Sequence, residues 1–340
     1  MLNFRWIFAS VVALTPFIGG AALGLDTDRP DVAEFIDDMV EQEGFSRAKL
    51  TSLLAGAKSQ EKILEAMRRP AEKSKPWHEY RDIFIQDKRI DAGVAFWDEH
   101  ADTIERISDQ TGVPGEILVG IIGVETYYGR ITGSYRVLDA LATLGFDYPP
   151  RAKFFRKELK EFLLLAREES VPVDAALGSY AGAMGSPQFI PSSYRAYSVD
   201  ADADGRRDLF NSWTDIIGSV ANYFVRHRWE SGAPVIAKAT LDDAFSGELP
   251  EKNTLKADSS IEALRAQGVT IHTTDELADQ MPARLIAMQG EEGPIYHVGM
   301  HNFYVITRYN RSAMYAMAVW ELGTTIAARR DDQRRAMLVD

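Results

Sequence analysis

The sharpest chemical signal in the chain is one carboxylate, Glu125, in the run Val113-Pro114-Gly115-Glu116-Ile117-Leu118-Val119-Gly120-Ile121-Ile122-Gly123-Val124-Glu125-Thr126-Tyr127-Tyr128-Gly129. Pro114 suits the first turn of a helix and Gly129 suits its end. Three, four and seven residues before Glu125 stand Ile122, Ile121 and Leu118, so a helix puts the carboxylate on an apolar stripe. Tyr128 falls three residues further along that face. A carboxyl desolvated in this way has a raised pKa and keeps its proton near neutral pH. A general acid for an oxygen leaving group needs that property. The helix alone leaves open a half-exposed glutamate paired with a neighbour such as Arg130.

Three further segments carry chemistry-bearing residues. Ser179 to Tyr194, read Ser-Tyr-Ala-Gly-Ala-Met-Gly-Ser-Pro-Gln-Phe-Ile-Pro-Ser-Ser-Tyr, mixes small residues, hydroxyls, an amide and aromatics. Small residues allow close approach of another surface, and amides with aromatics suit polar ring-shaped ligands; a tight interhelical loop would share this composition. Asn302 to Ser312 alternates like a strand and ends in polar aromatics. The run Asp200-Ala201-Asp202-Ala203-Asp204-Gly205-Arg206-Arg207-Asp208-Leu209-Phe210-Asn211 has the order of a calcium loop. Oxygen ligands stand at positions 1, 3, 5 and 9, the turn glycine at 6, and the Arg206 carbonyl at 7. Position 12 is Asn211 instead of a bidentate glutamate, and Asp215 is placed to lend the missing carboxylate. A solvated acidic turn is the competing reading.

The elements that must position these residues read as mostly helical. Helical spacing over Asp31–Met67 predicts two or three short helices, and further helices are expected over Asp91–Thr111, Pro114–Tyr128, Arg151–Glu169, Asn211–Trp229 and Met314–Arg330. Between Ala233 and Arg308 short β-branched runs at 235–237, 269–272, 285–288 and 304–307 predict strands separated by Gly, Pro and Asp. The expected organisation is a leader over residues 1–24, a helical part over 25–110, a core over 111–232, a small β-rich insert over 233–300 and a return to the core over 301–340.

The chain has 340 residues, a net charge of −12 and no cysteine. An acidic protein gains no counterion-release energy from a phosphate backbone, so no nucleic-acid partner is expected. Arg5, the apolar stretch Trp6–Leu23 and the small run Gly19-Gly20-Ala21-Ala22 have the pattern of a cleavable secretory signal, with an uncleaved membrane anchor as the alternative. The absence of cysteine rules out a lipoprotein anchor and disulfides, and suits an oxidising compartment. The pair His297 and His301 lacks a third ligand and is set aside as a metal site. No G-x-S-x-G nucleophile elbow is present.

Four stretches together resemble the membrane-bound lytic murein transglycosylase B family: Gly123–Thr126, Ser179–Tyr194, Gly218-Ser219-Val220-Ala221-Asn222-Tyr223-Phe224, and Asn302–Asn310. They occur in the family's order and span about residues 113 to 325. The resemblance implies a mainly α, lysozyme-like core that cleaves the β-1,4 bond between N-acetylmuramic acid and N-acetylglucosamine. It implies Glu125 as acid and then base, assistance from the substrate's 2-acetamido group, and a 1,6-anhydro product end; such assistance is a recognised exception to the two-carboxylate scheme. By the same resemblance Ser179 supports the acid, Gln188, Phe189, Tyr223, Tyr309, Asn310 and Tyr315 line the sugar cleft, and Arg151 meets the peptide stem. Pro150 stands where the family often has a second arginine, and Ser186-Pro187 replaces a Tyr-Gly type pair, which puts the peptide contacts and one sugar subsite in doubt. The family also carries an EF-hand-like loop at 200–211, which implies a structural Ca2+ and no cofactor for the chemistry itself. The implied setting is the periplasm, with glycan strands as partner and cell-wall synthesis or remodelling proteins as further candidates. A hydrolytic muramidase and a catalytically silent peptidoglycan-binding module are the alternatives.

Overall fold

A computed structural model describes residues 24–68, 75–250 and 255–337. In chain order the elements are α1 (Pro30–Glu43), α2 (Arg47–Ala55), α3 (Glu61–Arg68), α4 (Trp77–Arg81), α5 (Asp87–Glu99), α6 (Ala101–Thr111), α7 (Gly115–Thr126), β1 (Tyr135–Arg136), α8 (Val137–Phe146), α9 (Ala152–Glu169), β2 (Leu177–Gly178), α10 (Pro191–Tyr197), α11 (Trp213–Arg226), β3 (Ile236–Leu241), β4 (Ser259–Ser260), α12 (Ile261–Ala266), β5 (Val269–His272), β6 (Pro282–Gln289), β7 (Pro294–Met300), α13 (His301–Tyr309) and α14 (Ala313–Met337). The expected leader lies, but for Gly24, outside the described residues. Among the described residues no helix is long and apolar enough to cross a membrane.

The chain divides into two compact units, each assembled from separate stretches. Among the described residues the first draws on 75–128 and 220–337, the second on 24–68 and 129–219. These units cut across the linear segments expected from the sequence, because α7 finds its partner helix nearly 200 residues away.

At the centre of the first unit α7 packs along α14. Every residue of α7 except its two glutamates, Glu116 and Glu125, is buried, as a helix apolar all round must be. The matching stripe on α14 is Tyr315, Val319, Leu322 and Ile326, spaced for one helical face. The two backbones approach closely because the contact is made by glycine on both sides. A Cβ on Gly120 would meet the carbonyl of Val319, and one on Gly323 would overlap the carbonyl of Glu116. From the other flank, α5 lays Gly93 beneath Ile326 and Tyr128.

The expected β-rich insert is present in the same unit as a five-stranded antiparallel sheet in the order β4-β6-β7-β3-β5. Ala237, Ala239, Leu285, Val298 and Met300 on one face enclose a small core with Ile261 and Leu264 of α12. The strands expected at 235–237, 269–272 and 285–288 are found. The fourth is not: residues 304–307 lie inside the helix α13. Its buried positions Asn302, Phe303, Val305, Ile306 and Thr307 make a short apolar run that fits either structure by pattern, and periodicity cannot separate the two at this length. Asn302 decides the matter locally. Its Oδ1 accepts from the Glu230 N–H, and its Nδ2 donates to the carbonyls of Glu230 and Ala233, which fixes the first turn of the helix.

The second unit is built around α8, all ten residues of which are buried, with α9 packed on it and α10 on α9. Asp139, buried within α8, accepts from Lys58 N–H and Gln60 Nε2, tying in the chain that leads to α3.

Gly323→Ala is expected to destabilise the protein by about 2–4 kcal/mol, because the backbone of α7 has to move to admit the methyl group. Chemical denaturation checks this, and a change below about 0.5 kcal/mol would show that the helices can part without cost.

Candidate active site

Glu125 is the penultimate residue of α7 and keeps part of its surface accessible while the helix around it is buried. The Tyr315 hydroxyl, presented by the first turn of α14, donates to Glu125 Oε1 at 2.5 Å. Burial raises the Glu125 pKa from 4.5 to about 8, and the Tyr315 hydrogen bond opposes part of that rise. Desolvation therefore wins, and the carboxyl is protonated at neutral pH. With Oε1 accepting from Tyr315, Oε2 is left to carry the proton.

Three of the tyrosines singled out in the sequence gather around this acid. The rings of Tyr309 and Tyr315 stack at 6.5 Å and 13°, and Tyr223 lies 4.8 Å from Tyr309. Burial and the neighbouring Glu125 hold the hydroxyls of Tyr309 and Tyr315 far above their ordinary pKa, so both stay protonated. Tyr223 is oriented by donating to the carbonyl of Arg308 at 2.6 Å. Asn310 follows α13 with its side chain buried, and its Oδ1 has no hydrogen-bond partner among the described residues. A buried acceptor left open costs about 1–3 kcal/mol, which points to a ligand donor at this position.

The sequence did not reveal what terminates α7. The helix stops at Thr126, and both Tyr127 (φ 53°) and Tyr128 (φ 58°) adopt the left-handed conformation, so Tyr128 does not continue the face that carries Glu125. Two consecutive non-glycine residues in that region carry strain that surrounding contacts must hold. Arg89 of α5 supplies them: its Nη1 donates to the carbonyl of Gly123 at 2.7 Å, and its guanidinium lies over the Tyr127 ring at 4.6 Å. Tyr127 also donates to the carbonyl of Lys88 at 3.1 Å. No local motif marks Arg89, which is 34 residues from its partner.

In the second unit Ser179, Gln188 and Phe189 lie on one buried loop. Ser179 Oγ accepts from the N–H groups of Ala181 and Ala183, at 3.3 and 3.0 Å, which uses both lone pairs and leaves its O–H to donate. Gln188 is held at φ 53°, its Nε2 donating to the carbonyls of Thr132 and Gly185. The loop leads into α10, whose Ser192 donates from N–H and Oγ to the buried carboxylate of Glu158, a polar anchor that carried no sequence signal. Arg151 stands apart at the start of α9, with its guanidinium over the rings of Phe154 and Phe155.

The acidic loop brings Asp200, Asp202 and Asp204 together, with one oxygen from each within 4.8 Å of the others. The backbone N–H groups of Asp204 and Gly205 bond back to Asp200, and that of Arg206 to Asp204, as a tight ligand loop requires. Three clustered carboxylates repel one another unless a cation intervenes, so the donor set fits a hard divalent ion. The other expected ligands are engaged elsewhere. Asp208 accepts from the N–H groups of Phe210 and Asn211 and from Asn211 Nδ2. Asp215 is fully buried and spends its two oxygens on the N–H groups of Ala201 and Asp208, closing the loop at both ends.

A helical core around a single protonated glutamate, with a small β subdomain, defines a lysozyme-like enzyme. Residues 27–324 match the transglycosylase SLT domain, and the chain belongs to this family of lytic transglycosylases, lyases that act on peptidoglycan. The membrane-bound lytic murein transglycosylase B of Escherichia coli (strain K12) is 43% identical over 312 residues, covering 89% of this chain and 84% of that protein. The soluble lytic transglycosylase SltB1 of Pseudomonas aeruginosa is 51% identical, with a TM-score of 0.84 over 89% of this chain and 100% of that one. The Escherichia coli lytic transglycosylase Slt35, solved in complex with calcium, is 43% identical with a TM-score of 0.82, covering 91% and 96% of the two chains. SltB3 of Pseudomonas aeruginosa, solved with NAG-anhNAM-pentapeptide, is 29% identical with a TM-score of 0.76, covering 87% and 79%.

The folded protein keeps the Glu125 proton up to about pH 8, whereas an unfolded chain releases it near 4.5. Folding stability therefore falls as pH rises through that window, because the unfolded state binds fewer protons there. Glu125→Gln removes this titration and is expected to stabilise the fold. The gain should be absent near pH 4, grow through the window and level off above pH 8 at about 1–3 kcal/mol, a figure discounted for the exposed part of the carboxyl. Denaturation of both proteins at pH 4 and pH 8 measures it, and an equal effect of the substitution at the two pH values would contradict the raised pKa.

Proposed function

We propose that the chain cleaves the β-1,4 bond between N-acetylmuramic acid and N-acetylglucosamine and leaves 1,6-anhydromuramic ends, with Glu125 as the one acid and base. The observation that carries this reading is a carboxyl kept protonated at neutral pH beside a fixed phenol donor, Tyr315. As the glycosidic C–O bond breaks, Glu125 gives its proton to the leaving oxygen, while the substrate's acetamido oxygen supports the positive charge at C1. The Glu125 carboxylate then takes the proton of the C6 hydroxyl as that oxygen closes on C1. The proton gained in the second half restores the acid, and no water is consumed.

The remaining assignments follow the family's roles. Tyr223, Tyr309, Asn310 and Tyr315, with Gln188 and Phe189, contact the sugars, and the open Asn310 acceptor supports its part. Ser179, with only its O–H left to offer, acts as a donor supporting the acid. Arg151 is assigned to the peptide stem. Asp200, Asp202 and Asp204 hold a calcium ion, which supplies no chemistry and fixes the loop. The enzyme works in the periplasm after removal of the leader.

Mass spectrometry of soluble muropeptides released from sacculi tests the reaction. Products about one water lighter than their reducing equivalents are expected, with the rate cut about 10²–10⁴-fold in Glu125→Gln. Reducing ends would identify a hydrolase, and no products would favour a binding module. For the loop, Ca2+ in excess over a chelator is expected to raise the melting temperature by about 2–8 °C and Asp202→Asn to abolish the rise; an unchanged melting temperature would exclude calcium there.

A further inference from the structure

The protein carries a net charge of −12. Several exposed arginines pair with carboxylates, Arg47 with Asp37, Arg68 with Glu61 and Arg265 with Asp279. Four others stand on two neighbouring segments. Arg226, Arg228, Arg308 and Arg311 are all exposed, and among the described residues no carboxylate pairs with any of them. Arg226 ends α11 and Arg228 follows it, while Arg308 lies in the last turn of α13 and Arg311 just beyond.

Side-chain bonds to main-chain carbonyls bring these two segments together. Tyr223 Oη donates to the carbonyl of Arg308, and His301 Nε2 lies 2.7 Å from the carbonyl of Arg228. His227 stacks on the Tyr223 ring at 4.1 Å and has its pKa lowered by burial, with a smaller contribution from the Arg308 charge. Glu230 Oε1 lies 3.9 Å from His301 Nε2. The two arginine-bearing segments thus also carry Tyr223 and Tyr309 of the tyrosine stack, and Arg308 and Arg311 bracket Tyr309 and the open acceptor Asn310 in the chain.

We propose that Arg226, Arg228, Arg308 and Arg311 form a carboxylate-binding margin of the glycan site. This inference rests on the reading of the tyrosine stack as a sugar site. The physical need is clear: an acidic protein and a polymer bearing carboxylates repel at a distance, and a local patch of opposite sign offsets that repulsion and orients the strand. Planar guanidinium groups match carboxylates better than ammonium groups do. Two sources in peptidoglycan offer this group: the carboxylates of the peptide stems, and the lactyl carboxylate of the muramyl residue once its stem is removed.

Arg226→Ala/Arg308→Ala, compared with the native protein and with Arg106→Ala, tests the proposal. Arg106, on α6, is likewise exposed, and among the described residues no carboxylate pairs with it. KM and kcat are measured on strands bearing stems and on amidase-stripped strands, and binding is measured on neutral β-1,4-linked N-acetylglucosamine oligomers. On stem-bearing strands the double variant should raise KM about tenfold with kcat within about twofold, and the native KM should depend on salt more steeply than the variant's. A rise confined to stem-bearing strands assigns the stem carboxylates; an equal rise on stripped strands assigns the lactyl group. Arg106→Ala should change nothing. An unchanged KM on stem-bearing strands, or an equal loss of affinity for the neutral oligomers, overturns the proposal. If the native protein cleaves none of the strands, the proposed function fails, and binding affinity for the same three ligands still decides the arginines.

Discussion

The structure depends on holding a carboxyl at the end of an apolar helix without letting it ionise. Glu125 is the one residue in the last two turns of α7 that is not fully buried, and its environment disfavours charge on two counts. Desolvation raises its pKa, and the C-terminal end of a helix presents carbonyl oxygens whose partial negative charge repels a carboxylate. Arg89 spends its Nη1 on the Gly123 carbonyl, and among the described residues no cation pairs with the carboxyl. An arginine bonded directly to Glu125 would have given an ordinary ion pair and no proton to donate.

Much of the first unit follows from that demand. A helix buried on all sides needs a partner that approaches closely, and the glycines at 120 and 323 permit it. The same approach delivers Tyr315 from the first turn of α14 to the carboxyl, so packing and chemistry share one contact. Strain at Tyr127 and Tyr128 stops α7 directly after the acid, and the Arg89 contacts keep that ending in place. In the second unit the loop of Ser179 and Gln188 is fixed by comparable means, a left-handed residue and a buried Glu158 that binds the following helix.

Glu125 and its helix were legible because ten of twelve positions in α7 are buried and the chain writes that as an unbroken apolar run. The β subdomain was legible for a similar reason, as three of its strands have β-branched or alternating runs bounded by turn residues. What escaped was set by distant partners. Residues 304–307 pattern equally as strand or helix, and Asn302 resolves them through bonds to residues some 70 positions away. Tyr315 could be placed near the sugars by resemblance, yet its bond to the acid spans 190 residues. Asp215 looks like a spare ligand in the sequence, and only the fold reveals that its oxygens are already committed to the two ends of the loop.

The account stands on the protonation state of one group, and the most direct measurement is a titration of the Glu125 carboxyl itself. With glutamate labelled at the side-chain carboxyl carbon, Glu125→Gln identifies the resonance, and its shift is followed from about pH 4 to about pH 9. A midpoint near 8 in the free protein is the result required. A midpoint near 4.5 would mean that the carboxyl is ionised at neutral pH, and the chemistry assigned to this site would have to come from another group.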